Sequence, residues 1–286
     1  MICRSEKTAK YTGQDTVFRD MFSQKKYLLQ LYRALHPEDT DIKATDLNIV
    51  TLQTILLNGI YNDLGFMVRG DKLLILLEAQ TTWSPNIIIR SLMYLMNTYQ
   101  EYFDKNKIQL YGSVKVDIPK PELYVVYTKE KANHPDVLSL AEEFFSNKDC
   151  CIDARIKVIY ANDTDDILNQ YIGFCKVFTD TIKVHGRTLK AVKEIVRICR
   201  NENLLKDYLT ERETEVEGIM LTLFNQEHVF DIEKNRLLEQ GREEGIARGK
   251  LFSIKSMMKN LKISAEQAME ILEIPRSDFA KYMTLL

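Results

Sequence analysis

The sequence predicts an α/β (α+β) domain in the order helix–three strands–helix–strand, followed by a helical C-terminal region. Three observations carry this. Short apolar segments of strand length cluster between residues 46 and 160. A strand–turn–strand pattern, Tyr61–Val68 and Lys72–Thr81 around Gly70-Asp71, lies among them. From Asp165 onward the apolar spacing becomes helical throughout.

The elements follow in order. Asp15–Leu35 reads as one amphipathic helix, with Phe18, Met21, Phe22, Leu28, Leu29 and Tyr32 on one face and His36-Pro37 ending it. Asp46–Leu57 alternates imperfectly and reads as a strand, and the hairpin comes next. Ser84 as cap and Pro85 at the first helical position open a helix to about Phe103. Leu123–Thr128 and Arg155–Tyr160 read as further strands. Ile167–Lys183, Thr188–Arg200, Asn203–Phe224 and a segment ending near Leu261 show helical spacing. Gly241, Gly245 and Gly249 punctuate a charged stretch, and an interior glycine costs about 1 kcal/mol relative to alanine. After it, Leu251–Asn260, Ser264–Leu272 and Arg276–Leu285 read as three short helices, with Ser264 and Gln267 as a capping box and Pro275 as a break. The implied organisation is a core over 11–160, a helical extension over 161–240, a linker or weak helix over 241–250 and a small helical module over 251–286.

Composition narrows the class. The 286 residues are 45% hydrophobic and 28% charged, enough apolar content for a globular core. The formal charge of -2 leaves no global basic field, so a nucleic-acid partner must be met by a local patch. Cys3, Cys150, Cys151, Cys175 and Cys199 form no Cys-x-x-Cys pair, and scattered thiols suit a reducing compartment. The four histidines show no zinc spacing. The first residues lack the apolar core of a signal peptide, and Leu73–Leu77 is far too short to span a bilayer. A cytoplasmic protein with no membrane partner is expected.

The hairpin carries the chemistry. With a two-residue turn centred between Gly70 and Asp71, Arg69 faces Lys72 and Asp63 falls directly opposite Glu78. Opposed residues share a face with Cβ atoms roughly 4.5–5.5 Å apart, and like charges so placed repel. Gln80 shares the face of Glu78 by alternation. Glu78 is either where an apolar strand reaches water or half of a cation site, and Asp63 opposite it favours the cation. Two carboxylates suit Mg²⁺ or Mn²⁺, hard cations that keep waters for a phosphate to displace. The Gln80 amide would orient water or the scissile phosphate, or else bond to edge backbone.

Asp63-x14-Glu78-x-Gln80 resembles the Asp…(Asp/Glu)-x-Lys signature of the PD-(D/E)xK nuclease superfamily. Asn58–Phe66, Leu76–Asn86, Arg90-x3-Tyr94 and Tyr99-Gln-Glu-Tyr102 are similar to the Rpn family of recombination-promoting nucleases, as are Lys120–Tyr124, Asn169–Ile172, Arg197–Arg200 and the Gly-Arg-Glu-Glu-Gly run. The resemblance covers roughly residues 11–286. It implies a restriction-endonuclease-like core with a mixed central sheet and Mg²⁺-dependent (or Mn²⁺-dependent) endonucleolytic cleavage of DNA. It also implies Asp63 and Glu78 as metal ligands, with catalysis by Asp63, Glu78 and Gln80. Gln80 departs from the usual lysine, which keeps open a non-enzymatic alternative, a decayed nuclease fold acting as a DNA-binding or assembly module.

Arg90 is a candidate phosphate contact, or an ordinary helix residue paired with a carboxylate. Lys190, Lys193, Arg197 and Arg200 recur at 3, 4 and 3 spacing opposite Leu189, Val192, Ile195, Val196 and Cys199. Such a stripe either tracks a DNA backbone or is a solvated face. The three C-terminal helices bury little surface alone, so they are expected to pack on the main domain or on another subunit, with a homo-oligomer through them favoured.

Overall fold

A computed structural model describes residues 13–50, 63–79, 83–128, 134–146 and 150–286, without the side chains of 13–15, 63, 74–79, 226–231 and 233. The chain divides into two units, Met1–Asn225 and Gln226–Leu286.

The first unit is built on a six-stranded mixed sheet of order β1-β2-β3-β4-β6-β5. The strands are β1 (Leu47–Val50), β2 (Asp63–Val68), β3 (Lys72–Ala79), β4 (Lys120–Tyr127), β5 (Val137–Ser139) and β6 (Arg155–Ile159). β3 pairs antiparallel with β2 and parallel with β4, and β4 pairs parallel with β6. A helix, α3 (Ile87–Asn106), connects β3 to β4, as a parallel crossover requires. The strand expected over Asp46–Leu57 is present over Leu47–Val50, and residues 51–62 lie outside the described residues.

Alternation along β4 sorts the core into two layers. Tyr124 and Val126 join Leu64, Phe66 and Val68 of β2 on one face. That face is covered by α1 (Gly13–Phe22), α2 (Lys25–Leu35), α5 (Ile167–His185), α6 (Leu189–Asn201), α7 (Lys206–Glu211) and the first turns of α8 (Glu213–Leu261). Leu123, Val125 and Tyr127 join Leu73, Ile156 and Val158 on the other, against Ile87, Ile88, Leu95 and Tyr99 of α3 and Leu140 of α4 (Leu140–Phe145). Burying a side chain such as Phe66 stabilises by about 1.5–3 kcal/mol.

Local hydrogen bonding revises several expected boundaries. The first helix is two, because the Ser23 hydroxyl and the Gln24 amide both donate to the carbonyl of Asp20 and draw the backbone off its helical path. The Asp20 carboxylate accepts from the Tyr208 hydroxyl at 2.7 Å and from Arg212 at 3.2 Å, tying α1 to the α7–α8 junction. That junction interrupts the single helix expected over Asn203–Phe224. Ser84 and Pro85 do not start α3. The Ile87 and Ile88 amides donate to the carbonyls of Ser84 and Pro85, so these residues form a lead-in turn, and Asn86 takes the N-cap position without a side-chain cap bond. Strand β5 and helix α4 lie where no element was expected.

In the second unit, the later turns of α8 join α9 (Ala265–Ile271) and α10 (Phe279–Met283) around Ile254, Ala268, Met269, Ile274 and Tyr282. Residues 241–250 are helical, and Leu251–Leu261 continues α8 instead of forming a separate helix. The capping box at α9 is present: the Gln267 amide donates to the Ser264 hydroxyl, and the Ser264 amide to the Gln267 side chain. No helix among the described residues is long and apolar enough to cross a membrane.

Candidate active site

The hairpin that carries the acidic residues has a three-residue loop, so the expected register slips by one. Val68 pairs with Lys72, and Asp63 faces Leu77 instead of Glu78. Two sets of contacts fix this. Arg69 (φ 49) and Gly70 (φ 85) take left-handed backbone, and the Asp71 amide donates to the carbonyl of Val68. Arg69 is held there by two 3.1 Å bonds to Asp39, and its amide donates to the Asp46 carbonyl. The Asp71 carbonyl then accepts from the Lys120 amide, which commits Asp71 to the β4 side and leaves Lys72 to pair with Val68.

Asp63 and Glu78 therefore sit one residue out of step on hydrogen-bonded neighbours. Glu78 lies in register with Val126 at the C-terminal end of β3, which is flanked on both sides by strands. With strands spaced about 4.8 Å and residues about 3.3 Å, the two Cα positions are about 6 Å apart. An offset of one places consecutive positions on alternate faces of a regular pleat, so the direct opposition expected from the turn signal does not hold. The side chains of Asp63 and Glu78, and the whole of Gln80, lie outside the described residues. Among the described residues, no group of three or more His, Cys, Asp or Glu side chains is placed to hold a metal.

An aromatic cluster marks the same edge of the sheet. Tyr127, paired with Ala79, meets the Trp83 ring edge-on at 5.6 Å. Trp83 lies flat on His134, with centroids 3.9 Å apart and planes at 9°. Tyr160 packs edge-on to Tyr127, and its hydroxyl, pushed up to about pKa 12 chiefly by burial, donates to the Pro135 carbonyl. No sequence pattern marks this cluster. Trp83 and His134 belong to different loops, and no spacing rule links them.

The opposite end of the sheet holds a second polar cluster, also unforeseen. It lies about 20 Å from Glu78 along β3, at six residues of about 3.3 Å each. His36, buried at the end of α2, has Nδ1 2.8 Å from Glu38 and Nε2 2.9 Å from Glu122. The Tyr124 hydroxyl donates to Glu122 at 2.7 Å, and Lys72 approaches the same carboxylate at 3.4 Å. Burial pushes the Glu122 carboxyl up, but the Tyr124 bond, His36 and Lys72 outweigh it and hold it below the usual carboxylate range. Burial and the adjacent Glu122 push the Tyr124 phenol far up. These groups satisfy one another, which gives the cluster the character of a structural tie between α2 and the sheet.

Arg90 stands in the first turn of α3 and is half-buried. On α6, Ala191, Val192, Ile195, Val196 and Cys199 are buried, while Lys190, Lys193 and Arg197 are exposed. Leu189, expected with the apolar side, is 48% exposed. Arg197 is bound through two nitrogens to Glu194, and Arg200 to Glu213 at 2.7 Å. The stripe is thus partly neutralised by its own neighbours. Comparison of the chain with family models, with curated proteins and with solved structures finds no match.

Proposed function

We propose that the chain is a metal-dependent DNA endonuclease of recombination-promoting type, built on a restriction-endonuclease-like PD-(D/E)xK core of the Rpn kind. One observation carries the reading. The signature residues Asp63 and Glu78 fall on adjacent paired strands, with Glu78 at the C-terminal end of a strand inside the sheet. Ligands of sheets with parallel strands gather at that edge. The mixed sheet, with α3 crossing from β3 to β4, supports this reading.

Asp63 and Glu78 would offer hard oxygen donors to Mg²⁺ or Mn²⁺. When bound, the ion polarises a phosphoryl oxygen and lowers the pKa of an attacking water. Gln80 would hold that water or the scissile phosphate by hydrogen bonds. Arg90 and the exposed Lys190 and Lys193 would supply phosphate contacts, with Arg197 and Arg200 joining if they exchange their carboxylate partners. A divalent ion that binds only the folded protein stabilises it by RT ln(1 + [L]/Kd). The expected result is a melting temperature that rises with millimolar Mn²⁺ in the parent and not in Asp63→Asn. An equal rise in both proteins would reject the site.

The second reading is a decayed nuclease fold acting as a DNA-binding or assembly module. Gln80 in place of lysine favours it, as does the one-residue offset between Asp63 and Glu78. Under either reading we place self-association in the second unit, where Phe252, Leu261, Ile271 and Met283 are exposed. Light scattering should give the full chain at least twice its monomer mass and a chain ending at residue 240 a smaller multiple. An equal multiple for both would reject that role.

A further inference from the structure

Resting on the DNA-cleaving reading above, we propose that Trp83, backed by His134 and Tyr127, is a stacking surface for an unpaired nucleobase. The substrate is then DNA that is single-stranded or locally opened beside the scissile phosphate. Trp83 is the chain's one tryptophan. Trp83 packs its indole on Tyr127, the residue paired with Ala79, so the ring lies on the α3 face of the sheet at the end of β3 where Glu78 stands one residue away in the strand. His134 lies parallel beneath the indole at 3.9 Å and meets Tyr127 edge-on at 5.7 Å.

The support is firm. The Tyr160 hydroxyl holds the Pro135 carbonyl at 2.7 Å, and the Val158 amide holds that of Asp136 at 2.8 Å, which fixes the segment bearing His134. Tyr127 and Tyr160 are buried, at 6% and 8% exposure, while Trp83 and His134 are half-buried. Two flat rings in face-to-face contact, resting on buried rings and partly open to water, offer a π-surface that tolerates any base. A paired base inside a duplex is already stacked on its neighbours, so only an unstacked base can use such a surface.

The single tryptophan makes the test direct. The full chain is titrated in EDTA at low salt with fluorescently end-labelled oligothymidylate, and with an abasic deoxyribose-phosphate strand of equal length. Binding is read by anisotropy and the site by Trp83 emission. The expected result is quenching by oligothymidylate and none by the abasic strand, which binds about tenfold more weakly. Trp83→Leu should lose about tenfold in affinity for oligothymidylate and nothing for the abasic strand, and Trp83→Tyr should recover most of the loss. Oligothymidylate binding without a change in emission overturns the stacking surface and leaves the DNA reading standing. So does an equal loss on both strands in Trp83→Leu. Absence of binding by either strand overturns the DNA reading and the surface with it. If Trp83→Leu does not fold, the emission of the parent protein decides alone.

Discussion

Glu78→Ala should keep the fold and lose nicking of supercoiled plasmid by at least about a hundredfold, the scale on which losing a preorganised electrostatic contact to the transition state acts. Glu78 follows the apolar run Leu73–Leu77 at the end of an interior strand, a position set by its pairing with Val126 of β4. A carboxylate there is held by rigid scaffolding, so alanine removes chemistry without removing packing contacts of the strand interior. Asp63→Ala should lose as much, because either ligand alone leaves the cation underbound. Gln80→Ala should lose less, since a neutral amide orients groups and carries no charge. Gln80→Lys should match or exceed the parent, because an ammonium can stabilise charge developing on the phosphate. The assay runs in Mg²⁺ and Mn²⁺ with EDTA as control. Equal nicking by purified parent and Glu78→Ala would assign the activity to a contaminant and leave the binding-module reading.

Strand β4 was legible as a continuous apolar run because both of its faces are buried: Leu123, Val125 and Tyr127 serve one layer, Tyr124 and Val126 the other. The buried side of α6 and the capping box at Ser264 were legible for the same reason, since each is a rule about residues within one turn or two. The hairpin register was not. Gly70-Asp71 signals a turn, yet whether Asp71 belongs to the loop or to β3 is decided by the Lys120 amide and by Arg69 bound to Asp39, contacts from distant segments. A one-residue error there moves every side chain on one arm to the other face. It is why the carboxylates expected to oppose each other are offset. Strand β5 and helix α4 are three and six residues long, too short for periodicity to register. Trp83 with His134, and His36 with Glu122, are pairs that only folding brings together.

Glu122→Gln should destabilise the protein by about 2 kcal/mol at neutral pH, the scale of a hydrogen bond to a charged group that is largely shielded from water. The Glu122 side chain is 16% exposed and is approached by Tyr124, His36 and Lys72. Glutamine keeps the shape and can still accept from Tyr124, so the substitution mainly removes the charge. The pH dependence then has a definite sign. The folded-state pKa of Glu122 lies below its unfolded value, so the unfolded chain binds the proton more readily. The stabilisation is fully present above the unfolded carboxylate pKa of about 4.3 and is lost as pH falls through the folded value. Denaturant midpoints for parent and Glu122→Gln should therefore differ most at pH 6–7 and converge in acid below about pH 4. Curves that stay parallel down to pH 3 would mean that the Glu122 charge contributes nothing through His36 and Lys72, and that the tie between α2 and the sheet rests on Tyr124 and packing alone.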